Sequence, residues 1–261
     1  MRIDYDDGYY IGDVDNSGNA NGKGTYYYDN GDRYEGDFRD GLAHGKGIEY
    51  YADGGRYEGD FCDGIIHGKG IAYWINGNRY EGDFRGNNFN GKGTFYYSDG
   101  GRYEGDWLNG QRSGKGIFIA SDGSRHEGDF YCGLPHGKGV CYYADGDRYE
   151  GDWSQGKYNG RGAYYFADGN RYEGDFCCGV KQGKGAMYFV NGDKYEGYFC
   201  ENVPHGKGTF YYADGDRYEG KWRNGRKHGK GTYYHANGKV VKMKFANGEK
   251  IRRSVFGTKD S

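Results

Sequence analysis

Strand-like bursts alternate with short polar breaks along this chain. Thr25-Tyr26-Tyr27-Tyr28 is dense in residues that favour strands, and Arg33-Tyr34-Glu35-Gly36-Asp37-Phe38 alternates charged and apolar side chains with the period of two of a half-buried strand. Between them lies Asn30-Gly31, matched later by Asp53-Gly54, Asn76-Gly77, Asp99-Gly100 and Asp145-Gly146. Asn-Gly or Asp-Gly between two such runs predicts a β-hairpin, because a tight turn needs the positive φ that these residues tolerate. With Asn30 and Gly31 as the two loop residues, Tyr27 is expected opposite Tyr34, Tyr26 opposite Glu35 and Thr25 opposite Gly36. One face then carries Thr25, Tyr27, Tyr34, Gly36 and Phe38, the expected core. The other carries Tyr26, Tyr28, Arg33, Glu35 and Asp37, an expected surface ladder of charge and aromatic rings, where Arg beside Tyr gains a modest cation-π attraction.

The hairpin repeats. Gly-Lys-Gly, once Gly-Arg-Gly, begins at Gly22, Gly45, Gly68, Gly91, Gly114, Gly137, Gly160, Gly183, Gly206 and Gly229, an unbroken spacing of 23 residues. The position of Phe38 is Phe or Trp in every unit, which suits large rings stacking from one unit to the next. A single hairpin cannot bury its apolar face alone, so neighbours must stack. The expected architecture is all-β: an elongated, single-domain solenoid of stacked antiparallel β-hairpins over residues 1–248, with atypical first and last units and a tail, 249–261, that breaks the period and is expected to fray in part.

Composition alone would suggest disorder: 54 of 261 residues are Gly, and Leu, Ile, Val and Phe together fall below the roughly 20% that marks an aliphatic core. Yet aromatics make up 19% of the chain and the net charge is only -2, whereas disorder couples few aromatics to high charge. Tyrosine must therefore supply the core. Balanced charge gives no bulk drive toward nucleic acid, which is excluded as a partner. No apolar run reads as a secretory signal or membrane span, so the expected setting is the cytoplasm, at the cytoskeleton or at the inner membrane surface.

Tyr-Glu-Gly-Asp-Phe, a glycine-rich stretch ending His-Gly-Lys-Gly, then Tyr-Tyr-Ala-Asp-Gly-Asp-Arg and again Tyr-Glu-Gly, closely resembles the MORN repeat (membrane occupation and recognition nexus), over about residues 10 to 248. The resemblance implies a twisted antiparallel β solenoid serving as a non-catalytic scaffold. Members of the family are associated with partner proteins, with membranes or phospholipids, and with cytoskeletal or ciliary structures.

Candidate chemistry is sparse. Gly41 to Gly47 lacks the spacing and the hydroxyl of a phosphate-binding loop. Recurring His44, His67, His136, His205 and His228 sit in equivalent places of their units, roughly 9 to 10 Å apart between neighbours, too far to share one metal, so a hydrogen-bonding role is expected and no metal site. Cys62, Cys132, Cys141, Cys177, Cys178 and Cys200 show no ligand spacing and are expected as free thiols. Glutamates in repeated, identical surroundings do not make an acid and base pair. The chain is therefore expected to be no enzyme and to need no cofactor.

Partner-binding candidates are the aromatics of the charged face, Tyr28, Tyr51, Trp74, Tyr97, Tyr143, Phe166, Phe189 and Tyr212, since rings with Arg are frequent interface hot spots. A broken apolar rim, Leu42, Ile65, Ile66, Phe89, Leu134, Val180 and Val203, adds Phe89; its alternative is to fold back over the sheet edge. Protein partners are expected, a second copy of the chain among them. The competing expectation is a phospholipid surface met by Lys23, Lys46, Lys69, Lys92, Lys115 and Lys138. The unit 114–136 departs most, with Ile119, Ala120 and His126 where other units carry aromatics.

Overall fold

The computed structural model describes residues 1–251. They form 23 β-strands and divide by contacts into two compact units, one ending at Pro135 and one beginning at His136. In the first unit every strand from Arg2–Tyr5 to Arg125–Tyr131 pairs antiparallel with its neighbours in the chain. The second repeats this from Leu134–Tyr142 to Glu249–Lys250. This is the stacked-hairpin β solenoid expected from the 23-residue period. Of the tail, Glu249–Lys250 pairs with Phe245 and Ala246; the expectation of fraying beyond falls on residues outside those described.

The register differs from the expected one by a single residue. Tyr27 faces Arg33, Tyr26 faces Tyr34, Thr25 faces Glu35 and Gly24 faces Gly36. The loop has three residues, not two. The Gly31 N–H donates to the Tyr28 carbonyl at 3.0 Å, and the Tyr28 N–H to the Asp32 carbonyl at 3.0 Å. Gly31, at φ 93°, ends a type I turn as a left-handed bulge residue. The two-residue turn with positive φ at both positions lies at the other connection, Asp40 (52°) and Gly41 (82°). The glycine-rich stretch after it is therefore no loop: Leu42–Tyr50 is a strand, with a bulge opposite Gly36 and Phe38.

One residue of slip exchanges faces. The core face carries Tyr26, Tyr28, Tyr34 and Phe38, and its centre is a column of edge-to-face rings. In the first unit Tyr34 meets Phe38 at 5.1 Å and Phe61 at 4.8 Å, Tyr57 meets Phe61 and Phe84, and Tyr103 meets Trp107 and Phe130. In the second, Tyr149, Tyr172 and Tyr195 do the same with Trp153, Phe176, Phe199 and Trp222. These tyrosines are fully buried. Burial also raises their hydroxyl pKa, led by desolvation.

Most of these hydroxyls are satisfied locally: Tyr80 Oη donates to the Asp83 carbonyl at 3.0 Å. Tyr218 Oη is buried and has no partner among the described residues. Tyr80→Phe should therefore cost about 1 kcal/mol, while Tyr218→Phe should be neutral or stabilising, because it removes an unsatisfied buried group. Urea unfolding of the two variants reads the contrast; equal losses would contradict it.

Candidate binding groove

The face away from the ring column is built from three rungs per hairpin. In the second hairpin Lys46 lies opposite Asp60, Ile48 opposite Glu58 and Tyr50 opposite Arg56, with Gly47 and Gly59 paired between the first two. Side chains at alternate positions share a face, so successive hairpins align these rungs into rows. Within the first unit the rows line a groove of about 1310 Å³, in which Glu35, Ile48, Glu58, Ile71, Glu81, Thr94, Glu104, Ile117 and Glu127 follow one another from strand to strand in a single row. Bare glycine backbone forms part of its floor.

Three of the groove's five glutamates are paired with arginine. Arg33 pairs with Glu35 at 3.0 Å, Arg79 with Glu81 at 3.3 Å and Arg125 with Glu127 at 2.6 Å. Guanidinium groups cap tyrosine rings: Arg33 lies 4.4 Å from the centre of Tyr50, Arg56 4.3 Å from Tyr73 and Arg79 4.3 Å from Tyr96. The expected charged and aromatic ladder thus exists, but its rings are the tyrosines expected in the core. Tyr50, Tyr73 and Tyr96 are surface residues that the sequence pattern does not single out. The signal that could have placed them is the glycine at the third loop position of every unit, the mark of a three-residue turn with a bulge.

The partner-binding candidates accordingly change sides. Tyr28, Tyr51 and Tyr97 pack against the buried rings of the first unit, and Tyr143, Phe166, Phe189 and Tyr212 against those of the second. Trp74 stays 37% exposed, leaning on Phe89 and Phe95. Phe89 does not stand on the rim: it stacks on Tyr80 at 3.9 Å and meets Phe84 and Trp107 edge-on. Ile66 turns inward with it. Leu42, Ile65, Leu134 and Val203 remain exposed. These eight aromatics and Phe89 form a second layer over the column, placed there by the register, and do not line the groove.

The lysine row is present and neutralised. Lys23 meets Asp37 at 2.6 Å, Lys46 meets Asp60 at 2.6 Å, Lys69 meets Asp83 at 2.7 Å, Lys92 meets Asp106 at 2.6 Å, Lys115 meets Asp129 at 2.6 Å and Lys138 meets Asp152 at 2.5 Å. Lysine pairing draws the carboxyls of Asp37, Asp83 and Asp152 below the usual range. The same aspartates also accept the backbone N–H of the following strand, Asp37 from Lys46 at 3.1 Å and Asp60 from Lys69 at 2.9 Å, so they stitch the bulges.

His44 takes a hydrogen-bonding place, its Nδ1 3.4 Å from the Asp63 N–H. With Cys62 and Asp63 it forms a cluster whose ligand atoms lie within 4.8 Å of one another; the sequence spacing concealed it because His44 stands near the start of one strand of the hairpin and Cys62 and Asp63 at and just beyond the end of the other. Asp63 is already held by Arg39 at 2.9 Å. All six cysteines are free thiols, Cys141 buried.

The fold and its rows define a hairpin-repeat protein with a grooved face. It belongs to the MORN-repeat family: the MORN repeat model matches ten consecutive segments, 10–33, 34–56, 57–79, 80–102, 103–125, 126–148, 149–171, 172–194, 195–217 and 218–240. No curated protein matches the chain. Among solved structures, the TCP10 domain of Danio rerio CPAP in complex with a peptide of Danio rerio STIL is 13% identical, with a TM-score of 0.43 and coverage of 90% of this chain and 99% of that one. The SAS-4 TCP domain of Drosophila melanogaster in complex with a proline-rich motif of Ana2 is 17% identical at a TM-score of 0.27, covering 67% and 83%. Likeness at this level says nothing about what this chain binds.

Proposed function

We propose that this protein is a non-catalytic scaffold that holds partner proteins along the grooved face of its hairpins. The observation that carries the reading is the groove of the first unit, where one row alternates Ile48, Ile71, Thr94 and Ile117 with Glu35, Glu58, Glu81, Glu104 and Glu127 across successive hairpins, beside a row of lysines. Such a surface offers extended contact with no chemical centre: the glutamates along it recur at one equivalent position of successive hairpins, so none is singled out as acid or base. Affinity would be spread over several hairpins. A cytoplasmic setting, in which thiols stay reduced, agrees with six unbridged cysteines. Lipid binding through Lys23, Lys46, Lys69, Lys92, Lys115 and Lys138 is weakened, since each of them has an aspartate partner.

Ile48→Arg with Ile117→Arg alters only the open face and should abolish capture of the partners that the wild-type chain retains from lysate, read by mass spectrometry, while the circular dichroism spectrum stays unchanged. Phe89→Ala should lower stability and leave the captured set intact. Unaltered capture by the double variant would sink the reading. Light scattering of the pure protein reads self-association separately.

A further inference from the structure

The ladder of opposed charges stops partway through the second unit. Lys138 faces Asp152 and Arg161 faces Asp175, as in every earlier hairpin, but then Lys184 faces Tyr198, Lys207 faces Lys221 and Lys230 faces Lys244. Like charges directly opposite each other destabilise a strand pair, so the fold gains nothing from this change. Among the described residues none of Lys184, Lys207, Lys221, Lys230 and Lys244 has a carboxylate partner. Lys184 instead lies 5.8 Å from the ring centre of Tyr198.

The unpaired lysines share a hollow. Lys184, Lys207, Lys221 and Lys230 line an open groove of about 800 Å³ together with Tyr198 and Tyr211. A smaller recess shares Lys207 and Lys221 and adds His205, His228 and Arg223. The first unit's groove alternates its charges; this one keeps Lys184, Lys207 and Lys230 without aspartates opposite them.

We propose that the second-unit groove binds an extended acidic peptide, a run of Asp and Glu in a partner protein. This rests on the scaffold reading and names the chemistry of one of its ligands. Equivalent lysines recur every two strands, roughly 10 Å apart, the reach of about three residues of extended chain, so an acidic run sets a carboxylate at each step. A lipid surface fits less well. The cations line a hollow, not a ridge, and Glu173, Glu196 and Glu219 line it with them; a dense layer of phosphates would press on all three. A single chain leaves those glutamates to their own partners, Arg171 at 3.3 Å, Lys194 at 2.7 Å and Arg217 at 2.9 Å.

The test is fluorescence anisotropy of a labelled deca-glutamate peptide with the full chain. Saturable binding that weakens as salt rises is expected. Lys221→Asp with Lys244→Asp restores the residue that the seven strands from Arg33–Arg39 to Arg171–Cys177 carry at this position, so the fold is kept, and affinity should drop at least about tenfold. Arg85→Asp with Lys157→Asp makes the same charge change outside the groove and should leave affinity within about twofold of wild type. No saturable binding by the wild-type chain, or an equal loss in both double variants, overturns the assignment. So does binding to vesicles of phosphatidylcholine with one-fifth phosphatidylserine that depends on Lys221 and Lys244 when the peptide does not bind. Partner capture through Ile48 and Ile117 is unaffected by these outcomes, so the scaffold reading can survive this one's failure.

Discussion

Gly47→Ala is expected to destabilise the first unit by about 3 kcal/mol or more, among the larger single-site effects in proteins. The reason is a close approach. A Cβ at Gly47 would lie 2.4 Å from Cε2 and from Oη of Tyr34, and one at Gly36 would lie 2.5 Å from the Gly47 Cα. Paired glycines let adjacent strands carry the tyrosine ring flat across them, and that ring is fully buried between Phe38 and Phe61. It cannot move aside without opening the column. Gly41→Ala is the matching control: its φ is 82° and nothing lies within 4 Å of the added carbon, so only backbone strain of about 1 kcal/mol is expected. Urea midpoints followed by circular dichroism separate the two. Similar midpoints would show that turn geometry, and not ring packing, dominates the use of glycine here.

The second large effect is a pH dependence at His126. This residue takes the place of the column tyrosine, is 5% exposed, and meets Phe130 edge-on at 5.2 Å. Burial, and next the charge of Arg112, lower its pKa from 6.5 to about 4. The Arg112 guanidinium lies 5.1 Å from the ring centre of Phe118 and 5.6 Å from those of Tyr103 and Phe130. Since the folded pKa is below the unfolded one, the neutral ring is favoured on folding. Stability is complete above about pH 6.5 and is lost as pH falls through about 4, by about 3 kcal/mol for this group. Other groups titrate in the same window, so the measurement is a difference: unfolding free energy of wild type against His126→Tyr from pH 7.5 to 4. The gap should widen steadily as pH falls. A constant gap would mean that His126 titrates in the folded protein as it does in the unfolded chain.

Much of this fold was legible in one sequence because a repeat multiplies weak signals. The hairpin, its strands, the column of Tyr34 and Phe38 and the close-packed glycine all follow from ten copies in one register. The candidate site was less legible. The dipeptide Asn30-Gly31 suggests a two-residue loop, but loop length is set by where the Tyr28 N–H and carbonyl find partners, Asp32 and Gly31. One extra loop residue reversed the faces, sending Tyr28 and Tyr51 inward and Tyr50, Tyr73 and Tyr96 outward, while Phe89 turns inward because the two-residue turn before it sets it opposite Phe84.

Charge shows the same division. The sequence displays a row of lysines and a row of aspartates, and counts them as balanced. Whether a given lysine is neutralised depends on which residue lies directly across the strand pair, because opposed side chains come within reach of one another while the next rung along is farther away. The period of 23, the all-β hairpin array and the aromatic core were settled by residue pattern alone, since each depends on local spacing. Which tyrosines face the groove, and that Lys207 and Lys221 are left without acid while Lys46 is not, were decided by register, a property of two strands together that neither carries by itself.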